Sequence, residues 1–458
     1  MTRLRLLAAG LALAAAAPAN ADNGAPRAFP ATLAGHAILP AMSFIPAPAD
    51  APAFFQTSGK FTAPDRARRE RTGTIDGSSF LSDAKAPRLT GIALPFAGQP
   101  LQGFSGIKRL AGGEFLALLD NGFGSQVNSP DAMLTFHRIR PDWSTGKVRI
   151  AETSFLHDPD RLVPFRIVAE ATETRYLTGT DFDIESIQPI GETVWFGDEF
   201  GPYLISADRR GRVTGVYETT VEGKPARSPD HYRVGTPATP GAVSFEARLS
   251  RGYEGMAASP DGRFLYPLME GPLWDEQAKA WEMKDGREYL RILEFDVAKR
   301  AWTGRSWKYL LEANGNNIGD FNMIDAQTGL IIERDNGEGA PEQACQGEAK
   351  PDCFNVPARF KRVYKIDLAA ADGQGFVRKI GYIDLMNLAD PQGKARTGGA
   401  AGKFTFPFVT IEDVDVVDEA HIVVANDNNL PYSTGRTLGR QDDNEFILLE
   451  VREFLAAR

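Results

Sequence analysis

The sequence predicts an all-β protein, a β-propeller built from four-stranded blades. Beyond about residue 88, short runs of β-branched and aromatic residues alternate with Gly, Pro and Asp turns, a pattern typical of strands. Helical periodicity is hard to find along the same stretch. One strand–turn–strand layout also recurs five times, and such internal repetition is the mark of a repeat architecture.

The five predicted hairpins each consist of an apolar strand, a tight turn and a second apolar strand. They span residues 104–122, 184–201, 253–271, 321–337 and 411–429. The intervals between them leave room for a second strand pair, as in FHRIRPDWSTGKVRI after the first hairpin. Two hairpins make a four-stranded blade, and blades arranged radially make a propeller.

The last hairpin is followed only by EFILLEV, residues 445–451, so the final blade is one strand short. An N-terminal strand such as residues 87–96 would complete that blade and close the ring. Five blades are visible, and the chain length allows five to seven, with residues 30–85 as the source of a sixth. The predicted divisions are a signal peptide at 1–21, an irregular Ala/Pro-rich lead-in at 22–87 that can contribute strands, and the propeller domain at 88–458.

The N-terminus has the layout of a secretory signal peptide. Arg3 and Arg5 precede an apolar run at residues 6–17, and Ala19-Asn20-Ala21 supplies a small-residue cleavage site. No later stretch reaches the roughly 18 apolar residues of a membrane span. We therefore expect cleavage after Ala21 and a periplasmic or secreted protein.

Charge and cysteine content narrow the choice of partners. Removal of two arginines with the signal peptide would change the net charge from −9 to −11, which gives no support to nucleic acid as a partner. The acidity suits cation binding, although mild acidity is common. Cys345 and Cys353 lie close together in a polar loop, and in an oxidising compartment they are expected to form a disulfide.

Polar residues occupy the open end, or mouth, of every predicted hairpin. Residues equidistant from a turn face one another across an antiparallel pair. The expected facing pairs are Ser105 with Asp120, Glu185 with Asp198, Glu254 with Glu270, Asn322 with Asp335, and Glu412 with Asp427. Because the innermost strands of propeller blades run alike, these mouths should converge around one axis.

Carboxylates gathered in this way repel one another and call for a compensating charge. Hard divalent cations prefer carboxylate oxygens, and Ca²⁺ accepts six to eight of them in flexible geometry. The five His include no pair at a spacing typical of metal ligands, so the sequence does not favour a zinc site. We predict Ca²⁺, with Mg²⁺ or Mn²⁺ as alternatives. The candidate ligands are Glu185, Glu254, Glu270, Glu412, Asp427, Asp335 and Asp120.

Four further residues are candidates for catalysis. Asp198 or Glu199 would act as a base, and Arg334 or Arg436 would hold an anionic substrate group. No G-x-S-x-G nucleophile elbow occurs. A purely structural role, in which the acids accept hydrogen bonds from backbone N–H groups between blades, stays open as an alternative.

The ordered set of motifs resembles the bacterial family known as esterase-like activity of phytase. The motifs are GFSGI with FLALLDNG, DIESI with VWFGDEFGPYL, YEGMAASPDGRFLYPLMEG, GLIIERDN with KRVYKIDL, and IEDVDVV with IVVANDNNLPYSTGR. The resemblance implies a secreted propeller that hydrolyses a phosphoric ester. The acidic metal-site signature of the alkaline β-propeller phytases is not matched.

We therefore expect a calcium-dependent hydrolase of a small-molecule phosphate ester. Two alternatives remain: a lactone or carboxylic ester hydrolase, and a non-catalytic secreted binding propeller.

Overall fold

The computed structural model describes residues 25–236, 238–239 and 243–458. The predicted signal peptide lies outside these residues. The described chain is almost entirely strand and loop, with one short α-helix, α1 (Arg452–Ala456), and three 3₁₀ turns at Ala53–Gln56, Ala111–Gly113 and Pro341–Gln343. No helix among the described residues is long and apolar enough to cross a membrane.

The segment before the first blade contributes eight short strands. They are β1 (Arg27–Phe29), β2 (Thr32–Leu39), β3 (Phe44–Ile45), β4 (Thr57–Ser58), β5 (Ile75–Ser78), β6 (Leu89–Leu94), β7 (Phe96–Ala97) and β8 (Gln99–Pro100). Three two-stranded ladders, β3 with β8, β4 with β7 and β5 with β6, lie outside the blades. The described part of this segment contains no sixth four-stranded blade.

The first two blades are regular antiparallel sheets. The first consists of β9 (Phe104–Arg109), β10 (Phe115–Leu119), β11 (Thr135–Asp142) and β12 (Lys147–Phe155). The second consists of β13 (Ile184–Ile190), β14 (Thr193–Asp198), β15 (Tyr203–Asp208) and β16 (Val213–Glu218). A short hairpin, β17 (Thr220–Val221) with β18 (Lys224–Pro225), follows.

The third and fourth blades carry small insertions. The third consists of β19 (Tyr253–Ala258), β20 (Phe264–Met269), β24 (Arg287–Asp296) and β25 (Ala301–Leu310), with β21 (Trp274–Asp275), β22 (Ala280–Trp281) and β23 (Met283–Lys284) inserted after β20. The fourth consists of β26 (Asn317–Met323), β27 (Thr328–Arg334), β28 (Lys361–Asp367) and β29 (Arg378–Asp384). Strand β1 adds to β29 in parallel.

The fifth blade joins the two ends of the chain. It consists of β33 (Asp413–Val416), β34 (His421–Ala425), β35 (Asn444–Glu450) and the N-terminal strand β2, which pairs antiparallel with β35. The short strands β30 (Leu388–Ala389), β31 (Gly399–Ala400) and β32 (Lys403–Phe404) precede it. Closure by an N-terminal strand was predicted, but residues 87–96 were the wrong choice, because β6 pairs with β5 instead.

Apolar side chains fill all five interfaces between neighbouring blades and so close the ring. One cluster joins the first and second blades, where the rings of Phe136 and Phe196 are 5.4 Å apart. Another joins the first and fifth blades through Phe104 and Phe446, also 5.4 Å apart. Three more clusters join the remaining neighbours. The fold is therefore a five-bladed β-propeller, with β9, β13, β19, β26 and β33 innermost.

Candidate functional site

A β-bulge interrupts the innermost strand near the mouth in four of the five blades. In the second blade Ile184 pairs with Asp198 and Ser186 with Gly197, so Glu185 has no cross-strand partner. Glu254 is skipped in the same way in the third blade. Bulges re-aim side chains and are frequent next to active sites. Here they release acidic residues from the ladder.

The bulges overturn the facing pairs predicted for the first four blades. Glu185 does not face Asp198, and Glu254 does not face Glu270, since each glutamate is the extra residue of its strand. In the fourth blade the skipped residues are Gly319 and Asp320, and Asn322 pairs with Leu330 rather than with Asp335. Turn positions give the register close to the turn, but an extra residue farther along the strand shifts everything beyond it.

Five carboxylates of the second and third blades form what we call the acidic centre. Oxygens of Asp183, Glu185 and Glu199 lie within 4.8 Å of one another, and so do oxygens of Glu199, Glu254 and Glu270. All five side chains are buried. Glu199 belongs to both groups and connects them. Sequence reasoning did not assign Asp183 to the site, although its position directly before β13 in DFDIES is a usable signal.

Close packing of two blades brings the halves of the acidic centre together. Gly252, just before β19, lies against the loop that carries Glu199, and a Cβ atom there would be 2.7 Å from the Cα of Glu199. Only glycine permits this approach of one backbone to another. The loop after β14 therefore places Glu199 next to the start of β19, which carries Glu254.

Carboxylates of the first and fifth blades extend the acidic centre along the mouth. Ser105 Oγ donates to Glu412 Oε2 at 2.8 Å. Burial, followed by repulsion from Asp427 and Asp183, raises the pKa of Asp120 well above its usual value. Burial and Glu412 raise the pKa of Asp427 in the same way. The predicted gathering of acids thus includes four of the five blades.

Two arginines supply positive charge at the acidic centre. Arg334 Nη2 lies 2.6 Å from Glu412 Oε1 and 3.8 Å from Glu254 Oε1. Arg251 forms an ion pair with Glu270, and its side chain, 38% exposed, reaches solvent. Sequence reasoning missed Arg251. Acidic side chains at the mouth therefore outnumber the arginines eight to two; the acids are Asp120, Asp183, Glu185, Glu199, Glu254, Glu270, Glu412 and Asp427.

The electrostatic cost of this arrangement appears in the pKa values. Burial, followed by repulsion from Asp183 and Glu254, raises the pKa of Glu185 well above its usual value. Burial and the neighbouring Glu270 raise the pKa of Glu199 and of Glu254 in the same direction. Each carboxyl therefore favours a proton, or another cation, over the free anion.

Two oxygens of the acidic centre are free to bind a ligand. Glu199 Oε1 and Glu254 Oε1 are buried, and no described residue donates a hydrogen bond to either. Buried polar atoms are almost always paired. Two oxygens bound to one Ca²⁺ ion lie at most about 5 Å apart, and both groups of carboxylates meet that limit. The residues present therefore fit a divalent cation, whose identity the oxygens alone do not decide.

Comparison with known proteins identifies the family. The family described as "Phytase-like: Esterase-like activity of phytase" matches residues 99–430. The chain belongs to this family. The match covers all five innermost strands and every residue of the acidic centre.

Individual relatives of this phytase-like protein are distant. An uncharacterized secreted protein of Arthroderma benhamiae is 29% identical over 113 residues, which is 23% of this chain and 22% of that protein. Among solved structures, a luciferin-regenerating enzyme is 9% identical with a TM-score of 0.32, covering 82% of this chain and 92% of its own. The PQQ-bound aldose sugar dehydrogenase of Streptomyces coelicolor is 14% identical with a TM-score of 0.31, covering 76% and 94%. The five-bladed architecture of the phytase-like chain is therefore assigned from its own strands and not from these neighbours.

Asp198, a predicted base, is held by the backbone. Its Oδ1 accepts from the N–H of Asp183 at 2.8 Å, and its Oδ2 accepts from the N–H of Gly201 at 2.7 Å. Burial raises its pKa to about 7. This carboxyl is thus bonded to the backbone of its own blade, whereas the adjacent Glu199 keeps an oxygen to which no described residue donates a hydrogen bond.

The structure places two predicted site residues elsewhere. Asp335 accepts hydrogen bonds from the N–H groups of Gly337, Arg359 and Phe360 and lies 2.9 Å from Lys361 Nζ. Both oxygens of Asp335 are occupied by these contacts within its own loop. Its predicted position among the acids at the mouth was therefore wrong.

Arg436 is likewise engaged outside the acidic centre. It forms a two-pronged ion pair with Glu445, with distances of 2.9 and 2.6 Å, and donates to the carbonyl of Thr405. The structure therefore places Arg436, predicted to hold an anionic substrate group, against Glu445 rather than at the acidic centre, because the loop after β34 turns its side chain toward β35.

A polar layer lies deeper along the innermost strands. Lys108 Nζ donates to Asn322 Oδ1 and to Asp415 Oδ1, both at 2.9 Å, and Gln188 Nε2 donates to Asn322 Oδ1 at 2.8 Å. These contacts join the first, second, fourth and fifth blades. The layer pairs its donors and acceptors internally, in contrast to the acidic centre.

A disulfide lies within the long connection between β27 and β28. Cys345 and Cys353 are bonded, with Cα atoms 4.9 Å apart, which confirms the predicted pairing. A disulfide of this kind is typical of proteins that fold in an oxidising compartment.

Proposed function

We propose that this protein hydrolyses a phosphate ester at the acidic centre with the help of a bound divalent cation, Ca²⁺ being the first candidate and Mg²⁺ or Mn²⁺ the alternatives. One observation carries the proposal: Glu199 connects two groups of buried carboxylates, and neither Glu199 Oε1 nor Glu254 Oε1 accepts a hydrogen bond from a described residue. Unpaired buried oxygens beside other acids are costly unless a cation binds them.

The cation would be held by the neighbours of Glu199 in either group, which are listed here: Asp183, Glu185, Glu254 and Glu270. When bound, a divalent cation polarises the ester and lowers the pKa of bound water. Glu412, Asp427 and Asp120 lie further along the mouth and would add negative charge around the site.

Arginines of the mouth would orient the phosphoryl group. Arg334 is buried, and its Nε has no hydrogen-bond partner among the described residues, so one donor remains for a ligand. Arg251, which forms an ion pair with Glu270, reaches solvent. Guanidinium groups bind phosphate oxygens through strong charge-assisted hydrogen bonds.

Glu199 is the better of the two predicted bases. Asp198 already accepts two backbone hydrogen bonds, whereas Glu199 offers a free oxygen in the same loop. With a cation held by the other carboxylates, Glu199 Oε1 would accept a proton from the attacking water. A general base of this kind contributes about 10²- to 10⁴-fold to the rate.

The test compares Glu199→Gln and Glu254→Gln with the wild type after chelation and readdition of Ca²⁺, Mg²⁺ or Mn²⁺. We expect each variant to lose at least about 100-fold in kcat/KM on p-nitrophenyl phosphate and to bind calcium more weakly by calorimetry. Glu282→Gln is the matched control, because Glu282 is equally buried but pairs with Arg291 outside the centre. Unchanged calcium affinity and turnover in both centre variants would refute the proposal.

A carboxylic ester or lactone is the second candidate substrate. The excess of carboxylates over arginines repels a phosphate dianion unless a cation is present, whereas a neutral ester meets no such repulsion. Measuring p-nitrophenyl phosphate, p-nitrophenyl acetate and a simple lactone on one preparation separates the two. Turnover of the neutral substrates alone favours the second candidate. Turnover of none, without calcium binding, favours a non-catalytic binding propeller.

We also propose that the protein is exported from the cytoplasm. The charged and apolar pattern of residues 1–21, the disulfide and the secreted relative support it. Expression of the full chain in a bacterium should give a periplasmic or secreted protein whose first residue, by mass spectrometry, is Asp22. An uncleaved chain that starts at Met1 and stays in the cytoplasm would contradict this.

A further inference from the structure

An aromatic pocket of about 390 Å³ lies at the second blade. Its walls include Phe165, Val168, Phe200, Tyr203, Asp230 and Tyr232. These residues come from the loop before β13, from the β14–β15 connection with the start of β15, and from the loop after β18. None of them belongs to the acidic centre or to the polar layer beneath it.

The aromatic side chains form a fixed wall. The ring of Phe165 lies 6.0 Å from Tyr203 and 5.7 Å from Tyr232. The Tyr232 ring stacks on His231 at 4.9 Å, and its hydroxyl donates to Glu218 at 2.9 Å. Both ends of Tyr232 are thus held, yet 37% of it is exposed. Exposed apolar residues grouped around a concavity often mark a binding site.

Two polar groups of the pocket have no hydrogen-bond partner among the described residues. Tyr203 is only 2% exposed, and its hydroxyl makes no hydrogen bond within the described part of the chain. Asp230 receives no hydrogen bond at its carboxylate from the described residues either, and partial burial raises its pKa. A buried hydroxyl left unpaired costs free energy, which a ligand can recover.

The position of the pocket connects it to the acidic centre. Phe200 directly follows Glu199, and Asp181, which also lines the pocket, is two residues before Asp183. The two segments that carry Asp183 and Glu199 therefore also carry part of the pocket wall, so pocket and acidic centre are neighbours along the chain.

We propose that this pocket binds an aromatic ring of the ester substrate, with Tyr203 and Asp230 available to a polar substituent on that ring. The inference rests on the proposed function, since it names the part of the substrate that does not react. Offset or edge-to-face contacts between aromatic rings contribute beyond simple burial. Aromatic esters should therefore be preferred over aliphatic esters of the same acid.

The first test measures binding without turnover. 2-Naphthol is titrated by calorimetry into the wild type, Tyr232→Ala and Tyr232→Phe, each of the full chain. We expect Tyr232→Ala to weaken binding about three- to tenfold and Tyr232→Phe, which keeps the ring, to restore most of the affinity. Phe80→Ala is the control, because Phe80 is an exposed aromatic residue outside the pocket.

The second test measures the ratio of kcat/KM for 2-naphthyl phosphate over ethyl phosphate, and for the corresponding butyrate esters. Intrinsic reactivity is the same for every variant, so a change in the ratio reports the pocket. We expect Tyr232→Ala to lower the ratio about three- to tenfold, and Tyr232→Phe to keep it near the wild-type value.

The two proposals fail separately. Ester hydrolysis with a ratio that Tyr232→Ala leaves unchanged would overturn the pocket assignment and spare the hydrolase. Binding of 2-naphthol that depends on the Tyr232 ring, without hydrolysis of any ester, would support the pocket and overturn the hydrolase. Naphthol affinity that is equal in Tyr232→Ala and the wild type overturns the pocket assignment in either case.

Discussion

The acidic centre and the Arg88–Glu338 pair are both buried and charged, but their oxygens are used differently. Glu338 Oε1 accepts hydrogen bonds from Arg88 and Ser79, and its Oε2 accepts from the N–H of Thr434 at 3.0 Å. Arg88 donates further to Thr434 Oγ1 and to the carbonyl of Cys353, both at 2.7 Å. In the acidic centre, by contrast, Glu199 and Glu254 each keep an oxygen to which no described residue donates a hydrogen bond.

This difference separates a structural charge from a functional one. Around Glu338 every oxygen has a donor, so the group ties the N-terminal segment to the loops of the fourth and fifth blades. In the acidic centre, carboxylates face carboxylates, which opposes folding unless protons or a cation intervene. A protein keeps such an arrangement where the unpaired oxygens are needed, and function is the usual reason.

The largest expected effect comes from breaking the structural pair. Glu338→Ala leaves the Arg88 guanidinium buried without its counter-charge, so we expect a loss of about 3–5 kcal/mol in the free energy of unfolding. Urea unfolding with a chelator present, compared at unchanged m-value, measures it. Glu254→Gln is the comparison, and it should be neutral or stabilising because it removes repulsion. Equal losses in the two variants would mean that the acidic centre is structural too.

Calcium should stabilise the folded protein through the acidic centre alone. At a concentration 100 times its Kd, a ligand bound only by the folded state adds about 2.7 kcal/mol to the free energy of unfolding. Thermal unfolding with and without calcium measures this, and Glu254→Gln should lose most of the increase while Glu282→Gln keeps it. An absence of any shift at millimolar calcium would remove calcium from the proposed mechanism.

The pH dependence should be smaller and of defined sign. The pKa of Asp198 rises to about 7 on folding, and those of Glu199 and Glu254 rise in the same direction. The folded state thus binds more protons than the unfolded chain, so stability is greatest below the unfolded pKa and falls as pH increases through the folded pKa.

We therefore expect the calcium-free protein to be less stable at pH 8 than at pH 5. One pKa unit corresponds to about 1.4 kcal/mol, and a net change of that order is expected, since other groups titrate with opposite sign. Urea unfolding at the two pH values is the measurement. Glu254→Gln should reduce the difference, and a wild-type protein that is more stable at pH 8 would contradict the assignment.

Much of the fold could be predicted because its signals are local. Each hairpin can be recognised from a turn residue, such as Gly191 between β13 and β14, and from flanking apolar residues that are buried in the core, such as Ile187 and Phe196. Five repeats of that signal give the blades. The strand that closes the ring was mispredicted because pairing between β2 and β35 spans almost the whole chain, and no local pattern specifies it.

The site was predicted in composition but not in geometry. Glu185, Glu254 and Glu270 were expected at the mouths and lie there, whereas Asp183 and Arg251 were missed. A facing-pair argument assumes an unbroken ladder, and the bulges at Glu185 and Glu254 break it. Whether an acid points toward its neighbours or into a loop, as Asp335 does, depends on backbone N–H groups far away in sequence.

The sequence by itself determined an all-β repeat protein with acids at the hairpin mouths and a local disulfide, since turn residues, alternating apolar residues and cysteine spacing act over a few neighbouring positions. Tertiary structure decided which acids meet, because the acidic centre forms only where the second and third blades pack at Gly252 and Glu199. It also decided which carboxylates are paired and which keep a free oxygen. That distinction depends on donors from other blades, so it exists only when the ring has closed.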